Sequence, residues 1–253
     1  MRVLILDAPD EATARAAGII VAQSRAKPDR VPGLATGGEM LPLYDKPRAA
    51  HEHGRSFARA TSFNLDDYAG LSPDEGRSSH ASMRGYLFDH VDVAPENAYL
   101  PRADAPDAAA GSARADAVLS AAGGTDPQLL APGQNGHLGF DDPTSSLTSR
   151  SRVKTLTQDT RVANARYFPN GDTPRFAIAT GVGTIEDPRH CLVLATGRAK
   201  AAALMIGGAA CPASIPHIHR QATVVLDRAA TAELRLPEYD VHVHPNGEPR
   251  VLS

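Results

Sequence analysis

Residues 1–23 read MRVLILDAPDEATARAAGIIVAQ, and this stretch decides the fold class. The apolar run at residues 3–6 predicts a buried strand, and a helix-like segment at residues 11–23 follows it directly. A second pair of strand and helix is predicted at residues 191–196 and 200–205. Strands that alternate with helices are typical of an α/β fold with a largely parallel sheet.

Other short apolar runs fit the same architecture. A weakly amphipathic surface helix is predicted at residues 108–122, and the tail from Pro237 onward is predicted to be irregular. The sequence contains no internal repeat, and we expect one domain over residues 1–253. Further strands are predicted around residue 34 and at residues 60–64, 129–131, 176–180 and 222–226.

Composition argues against several classes of partner. Lys plus Arg number 26 against 29 for Asp plus Glu, so the net charge of -3 predicts neither a nucleic-acid surface nor a polybasic membrane anchor. The N-terminal apolar run is too short for a signal peptide or a membrane span. The two cysteines, Cys191 and Cys211, are too few for a disulfide framework and suit a reducing cytoplasm, where we expect the protein.

Residues 135–143, NGHLGFDDP, have the pattern of an active-site loop. Gly136 and Gly139 allow positive backbone dihedrals on both sides of His137, whose imidazole moves protons near neutral pH. Asp142 is placed to orient that ring or to tune its charge. A turn with a solvent-exposed histidine is the alternative.

Two further motifs follow predicted strands, and parallel sheets bind ligands at the carboxyl ends of their strands. TGG at residues 36–38 precedes a predicted helix from Leu41 onward, an arrangement that can hold a phosphate, although it also occurs in ordinary turns. Glu39 opposes this interpretation because its carboxylate would repel a phosphate. Asp66 and Asp67 follow residues 60–64, and a shielded carboxylate there suits a general base, with a helix N-cap as the alternative.

Cations and histidines give weaker signals. Arg150, Arg152 and Lys154 are close enough in sequence to bind a phosphate together, and a solvated basic strand is the alternative. Arg166 and Lys200 are further candidate cations. Two HxH pairs, at residues 217/219 and 242/244, lack partners with metal-ligand spacing, so we predict no metal site.

Several of these stretches together resemble the glucosamine-6-phosphate deaminase family. The resemblance runs in the same order over nearly the whole chain and is most specific at residues 135–168. It implies a modified Rossmann-type fold with helices on both faces of the sheet. It also implies conversion of glucosamine 6-phosphate and water to fructose 6-phosphate and ammonia, without a metal or organic cofactor. The stretches are ATGG, SFNLDDYAGL, LFDHVDV, NGHLGFDDPTSSLTSRSRVKTLTQDTRVANARYF, GVGTI, LVLATGRAKA and CPASI.

The resemblance implies roles for four catalytic residues. Asp66 matches the acid/base that moves a proton between carbons 2 and 1 of the sugar, and His137 matches the residue that opens the pyranose ring. Asn135 and Asp142 match the positions that assist His137. Asp142 replaces a glutamate of the family and is shorter by one methylene, which affects the positioning of the ring-opening group.

The resemblance also implies two binding sites. One holds the substrate phosphate, and there Glu39 replaces a hydroxyl residue of the family. The other holds an activator, N-acetylglucosamine 6-phosphate, in hexameric members, so we expect a homo-oligomer. A lactonase-like hydrolase on the same fold and a non-catalytic sugar-phosphate sensor are the alternatives. The implied phosphate contacts are Thr36, Gly37, Gly38, Arg166 and Lys200, and the implied activator contacts are Ser145, Arg152, Lys154 and Thr155.

Overall fold

The first strand and helix form where the apolar pattern predicts them. In the computed structural model, strand β1 is Arg2–Leu6 and helix α1 is Pro9–Ala26. Pro9 suits the first helical position, where a backbone N–H would have no helical partner. Asp10 and Glu11 in the first turn complement the positive end of the helix dipole. The buried residues of α1, at positions 12, 16, 17, 20 and 21, share one face.

The structure describes residues 1–105, 107–205, 211–234, 242–243 and 249–250. The remaining strands there are β2 (Gly33–Leu34), β3 (Ser62–Asn64), β4 (Asp66–Tyr68), β5 (Ala98–Tyr99), β6 (Gln128–Leu130), β7 (Arg152–Thr155), β8 (Phe176–Ala179), β9 (Cys191–Ala195), β10 (Ala222–Asp227), β11 (His242–Val243) and β12 (Pro249–Arg250). The remaining helices are α2 (Leu41–Glu52), α3 (Ser79–Tyr86), α4 (Ala108–Ala121), α5 (Gln158–Asn164), α6 (Val182–Glu186), α7 (Ala201–Met205) and α8 (Ile215–Ile218).

The main sheet has the strand order β12-β11-β1-β10-β9-β6-β2-β3-β5, and every neighbouring pair except β11 and β12 is parallel. The connections that contain α1, α2 and α3 each lead to a strand nearer the β5 edge of the sheet. The connections that contain α4 and the later helices each lead to a strand nearer the β12 edge. Because such crossovers are right-handed, the two sets of helices cover opposite faces. The predicted α/β architecture with helices on both faces is confirmed, and the core lies between these layers.

A second, antiparallel sheet has the order β4-β8-β7. Residues 176–180, predicted as a strand of the parallel sheet, contribute β8 to this small sheet instead. A short buried apolar run predicts a strand but carries no information about its partners. The small sheet matters for function because it carries Asp66 at one edge and the basic residues of β7 at the other.

The tail differs from its prediction. It was expected to be irregular from Pro237 onward, yet β11 pairs with β1 and β12 pairs with β11. The prediction is wrong for these four residues, and the rest of the tail lies outside the described residues. Such two-residue strands take their structure from the neighbouring strand and leave no apolar period in the sequence.

No helix in the described ranges has the length and apolar character needed to cross a membrane.

The helix predicted at residues 108–122 is α4, which follows the N-cap residue Asp107. The Asp107 carboxylate accepts hydrogen bonds from the backbone N–H groups of Ala109 and Ala110.

Candidate active site

Lys200 marks the point where three loops of the parallel sheet meet. It ends a 3-10 helix that follows β9, and it is only 9% exposed. Its Nζ donates a hydrogen bond to the carbonyl oxygen of Pro132, in the loop after β6, at 2.7 Å. The same ammonium pairs with Glu39 Oε1, in the loop after β2, at 2.8 Å. The loops after β2 and β6, which carry two of the candidate motifs, therefore meet at Lys200.

Glu39 turns its carboxylate onto a cation that the resemblance assigns to the substrate phosphate. A buried ammonium needs an opposite charge, and Glu39 supplies one. A phosphate that binds Lys200 must displace this carboxylate or share the ammonium with it. Glu39 thus opposes phosphate binding by occupying the Lys200 ammonium directly, and not only by repelling the phosphate from a distance.

The TGG loop lies between β2 and α2, and Gly37 has a φ of 116°. A Cβ placed on Gly38 would lie 3.7 Å from the hydroxyl oxygen of Tyr167, so the segment around Tyr167 packs beside this loop. The neighbouring Arg166 is exposed, and its guanidinium carbon lies 4.8 Å from the centre of the Tyr167 ring. The structure thus places Arg166 in a segment that borders the loop.

Asn135 holds the imidazole of His137. The Asn135 Oδ1 lies 2.6 Å from His137 Nδ1 and 3.2 Å from the His137 backbone nitrogen. An amide oxygen only accepts, so Nδ1 carries the proton and Nε2 is left as the basic nitrogen. Gly133 leaves room for the ring, since a Cβ there would overlap it. Burial lowers the pKa of His137, Asp142 raises it and Lys200 lowers it, so the ring is a neutral base at pH 7.

The charge of Asp142 raises the pKa of His137, but the Asp142 carboxylate makes its hydrogen bond elsewhere. Its Oδ1 accepts a hydrogen bond from the Thr160 hydroxyl at 2.7 Å. No described residue donates a hydrogen bond to its buried Oδ2. The hydrogen bond that orients the ring comes from Asn135, and the role of Asp142 in tuning the charge of the ring stays a prediction.

Asp66 is a buried carboxyl group in β4, with 7% of its surface exposed. Burial raises its pKa to about 7, and the charges of Asp67 and Asp141 act in the same direction. A hydrogen bond from the backbone of Phe140 partly opposes this shift. A carboxyl group with a pKa near 7 accepts and returns protons at neutral pH, as a general acid/base must. The N-cap alternative is wrong, because Asp66 lies in a strand and Ser78 caps the next helix.

Gly139 brings the histidine loop against Asp66. Gly136 and Gly139 have φ values of 85° and 55°, which confirms the positive dihedrals expected around His137. A Cβ placed on Gly139 would lie 2.5 Å from Asp66 Oδ2. The close approach therefore requires glycine, and one loop carries His137 and encloses Asp66.

Asp67 has a different environment from its neighbour. Its Oδ1 accepts hydrogen bonds from the backbone N–H groups of Tyr68 and Ser79, both at 2.8 Å. Its Oδ2 lies 2.8 Å from His80 Nδ1. Successive residues of a strand point to opposite faces, so Asp67 anchors α3 while Asp66 faces the histidine loop.

Strand alternation in β7 separates Thr155 from the basic residues. Lys154 Nζ donates to the Ser145 hydroxyl at 2.8 Å, and Arg152 pairs with the fully buried Asp141 at 2.5 Å. Ser145, Arg152 and Lys154 thus lie on one side of β7. Thr155 lies on the other face and is not brought to them. The alternative of a freely solvated basic strand is wrong for Arg152 and Lys154.

Two features bear on ligands and on what the sequence missed. His219 donates from Nε2 to the carbonyl oxygen of Pro188 and accepts from the Gln221 N–H at Nδ1, so neither nitrogen is available to a metal. No group of three or more metal-ligating side chains occurs among the described residues.

The sequence analysis did not single out Asp141, although the pair of acidic residues after Phe140 was a signal.

Curated proteins of one kind are similar to this chain over nearly its whole length. No protein family model matches the chain. The glucosamine-6-phosphate deaminase of Shewanella loihica is 42% identical over 98% of this chain and 95% of that protein. The glucosamine-6-phosphate deaminase of an Arthrobacter species is 42% identical over 96% of both chains.

Solved structures of similar proteins share the fold of this chain. A monomeric glucosamine-6-phosphate deaminase of the NagB superfamily superposes with a TM-score of 0.89 and 39% identity, over 92% of this chain and 100% of that one. A 6-phosphogluconolactonase from Leishmania guyanensis superposes with a TM-score of 0.72 over 92% of this chain and 98% of that one. At 18% identity the lactonase shows a common fold alone.

Proposed function

Since this chain belongs to the glucosamine-6-phosphate deaminase family, we propose that it converts glucosamine 6-phosphate and water to fructose 6-phosphate and ammonia. The observation that carries the proposal is the buried carboxyl of Asp66, whose pKa is about 7 and which is enclosed by the loop bearing His137. An isomerising deamination needs such a group, because a proton must leave one carbon and return to the next.

His137 opens the sugar ring in this proposal. The anomeric hydroxyl gives its proton to Nε2, the bond between carbon 1 and the ring oxygen breaks, and Nε2 passes the proton to the ring oxygen, which leaves an aldehyde at carbon 1. Asn135 keeps Nδ1 protonated, so Nε2 stays available as the base. Asp142 supplies a negative charge that favours the imidazolium formed when Nε2 takes the proton.

Asp66 then moves a proton along the open chain. It removes the proton from carbon 2 while the aldehyde oxygen takes a proton from the ammonium group, which gives an enolamine. Asp66 then returns its proton to carbon 1, which leaves a protonated carbon–nitrogen double bond at carbon 2. Water adds to carbon 2 and ammonia leaves, so the products are a ketose phosphate and ammonia. A pKa near 7 lets the same carboxyl act first as base and then as acid.

We expect kcat/KM for glucosamine 6-phosphate to rise with pH through about 7. Asp66 has to be ionised in the free enzyme to remove the first proton, and its pKa of about 7 sets this limb. A profile of kcat/KM from pH 5 to pH 9 measures it. A limb centred near pH 4, the ordinary range of an aspartate, would contradict the assignment.

Replacing Glu39 with serine is expected to lower KM for glucosamine 6-phosphate by about fivefold, with kcat little changed. The substitution frees the Lys200 ammonium for the phosphate, and a partly buried ion pair contributes on the order of 1 kcal/mol. Steady-state kinetics and inhibition by inorganic phosphate both report this change. Glu96→Ser, at an exposed glutamate far along the chain, controls for the loss of one charge.

The two alternatives predict other products. A lactonase-like hydrolase on this fold releases no ammonia but hydrolyses a 6-phosphosugar lactone, and a sensor binds the sugar phosphate without product. Measuring ammonia release and lactone hydrolysis on one protein sample separates the three functions. Ammonia release from glucosamine 6-phosphate supports the deaminase activity. Lactone hydrolysis without ammonia release would contradict it and support the lactonase activity instead.

The proposal includes a homo-oligomer, up to a hexamer, that is activated by N-acetylglucosamine 6-phosphate. The support is the cluster of Ser145, Arg152 and Lys154 on one side of β7, where two cations adjoin a hydroxyl. Sedimentation analysis with and without the activator tests both points. A monomer with unchanged activity in the presence of the activator would contradict this part, and the solved relative at 39% identity is itself monomeric.

We also propose that the protein acts in the cytoplasm. Cys191 and Cys211 are both free and buried, and burial raises the pKa of each thiol. Reduced thiols are the usual state in that compartment. Cell fractionation with an antibody to the chain tests the location.

A further inference from the structure

Asp66 and Arg152 lie in line across the small antiparallel sheet. In the register of that sheet, Asp66 of β4 is opposite Ala179 of β8, and Ala179 is opposite Arg152 of β7. Residues directly opposite each other project from the same face of a sheet. Two strand spacings separate Asp66 from Arg152, roughly 10 Å, and the small side chain of Ala179 leaves the space above the middle strand open to a third group.

The turn at residues 138–141 reaches both ends of this row. Backbone hydrogen bonds in both directions between Leu138 and Asp141 close it, at 3.2 and 3.0 Å. Its glycine contacts the Asp66 carboxylate, and its Phe140 N–H bonds to the same group. Its last residue, Asp141, pairs with Arg152. A single four-residue turn therefore connects the proposed acid/base to the cation on β7.

Asp141 is fully buried and its only described ion-pair partner is Arg152. A buried carboxylate without a counter-charge is unstable, so the state of Asp141 depends on that guanidinium. Arg152 is 30% exposed in its side chain and remains accessible to solvent. The pair thus links a buried charge near Asp66 to a residue at the surface.

We propose that Asp141 is a positioning residue for the isomerisation step, which sets the proton affinity of Asp66 by its negative charge, and that Arg152 maintains this effect by keeping Asp141 ionised. The inference rests on the proposed role of Asp66 as acid/base. Removing the charge of Asp141 makes Asp66 a stronger acid. Removing the charge of Arg152 leaves the buried Asp141 carboxylate without its counter-charge, so Asp141 takes up a proton and Asp66 becomes a stronger acid as well. Restoring a positive charge at position 152 reverses the second effect, which a loss of packing does not produce.

The groups that act on this row are known from the structure. Asp67 of β4 and Asp141 raise the pKa of Asp66 in addition to burial, and the Phe140 backbone lowers it. Burial raises the pKa of Asp141, while Arg152, Lys154 and the Ser145 hydroxyl lower it. Tyr68, next to Asp66, also senses the charges of Arg166 and Tyr167. Within this set, Asp141 and Arg152 form an ion pair.

The test is a carbon-13 NMR titration of the side-chain carboxyl carbons in aspartate-labelled protein, with the Asp66 signal identified by its loss in Asp66→Asn. Asp141→Asn is expected to lower the pKa of Asp66 by about one unit, and Arg152→Gln is expected to lower it as well, because the unpaired Asp141 is then protonated. Arg152→Lys keeps the charge and is expected to restore most of the parent value. Arg150→Gln is the matched control, because Arg150 pairs with Asp187 instead.

The double variant Asp141→Asn/Arg152→Gln completes a cycle. Its Asp66 pKa is expected to match that of Asp141→Asn, since Arg152 acts through Asp141. A rise in the Asp66 pKa in Arg152→Gln, no shift in Asp141→Asn, or no recovery in Arg152→Lys would overturn the inference. The titration needs no substrate, so the expected shifts in a protein that releases no ammonia would contradict the proposed function and leave the charge coupling intact.

Discussion

Asp66→Asn is expected to lower kcat/KM for ammonia release by about 10²- to 10⁴-fold, the usual contribution of a positioned acid/base. Asparagine keeps the size of the side chain and the hydrogen bond to the Phe140 backbone, but it cannot accept the proton from carbon 2. Binding of the phosphate group does not involve residue 66, so KM should change little. A coupled assay of ammonia release measures both constants.

The stability of the same variant provides its control. The folded pKa of Asp66, about 7, lies above its ordinary value of 3.8, so the neutral form is favoured by folding. That contribution is fully present below pH 3.8 and is lost as the pH rises to about 7. Asp66→Asn should therefore raise the free energy of unfolding at pH 8, and the gain should shrink toward pH 4. An inactive variant that is less stable at pH 8 would point to misfolding.

Gly139→Ala is expected to reduce kcat/KM by about 10²-fold. The added methyl group would lie 2.5 Å from Asp66 Oδ2, so either the carboxylate or the histidine loop has to move. Displacements of about 1 Å at a reacting group cost about that much in rate. Because the same loop carries His137, the substitution disturbs ring opening as well as proton transfer.

Gly54→Ala is the matched control for this change. Gly54 has a φ of 86°, so an alanine there meets the same unfavourable left-handed backbone conformation. Nothing lies within 4 Å of a Cβ at that position, and the residue is exposed. We expect Gly54→Ala to lower stability and leave kcat/KM unchanged. Equal losses of activity in the two variants would show that backbone strain, and not contact with Asp66, is the cause.

Much of the fold was predictable because local patterns determine it. The strand at residues 3–6 and the helix after it follow from apolar spacing and from Pro9, Asp10 and Glu11 at the helix start. The histidine loop was predictable from its glycines, since Gly136 and Gly139 are needed where the backbone takes positive φ values. These signals act over a few residues and survive in any tertiary context.

What the sequence did not predict depends on contacts between distant segments. The partners of β8 in the small sheet, the pairing of Glu39 with Lys200 and the ion pair of Asp141 with Arg152 each join residues far apart in sequence or on separate elements. Asp142 illustrates the same limit. Its place five residues after His137 in a glycine-rich loop suggested that it orients the ring, but its carboxylate accepts a hydrogen bond from the Thr160 hydroxyl.

The most direct test of the central claim is the product balance of the parent protein with glucosamine 6-phosphate at pH 8. We predict that one molecule of ammonia and one molecule of fructose 6-phosphate form for each molecule of glucosamine 6-phosphate consumed. Binding of glucosamine 6-phosphate with no ammonia formed, at protein and substrate concentrations that saturate the site, would contradict the claim.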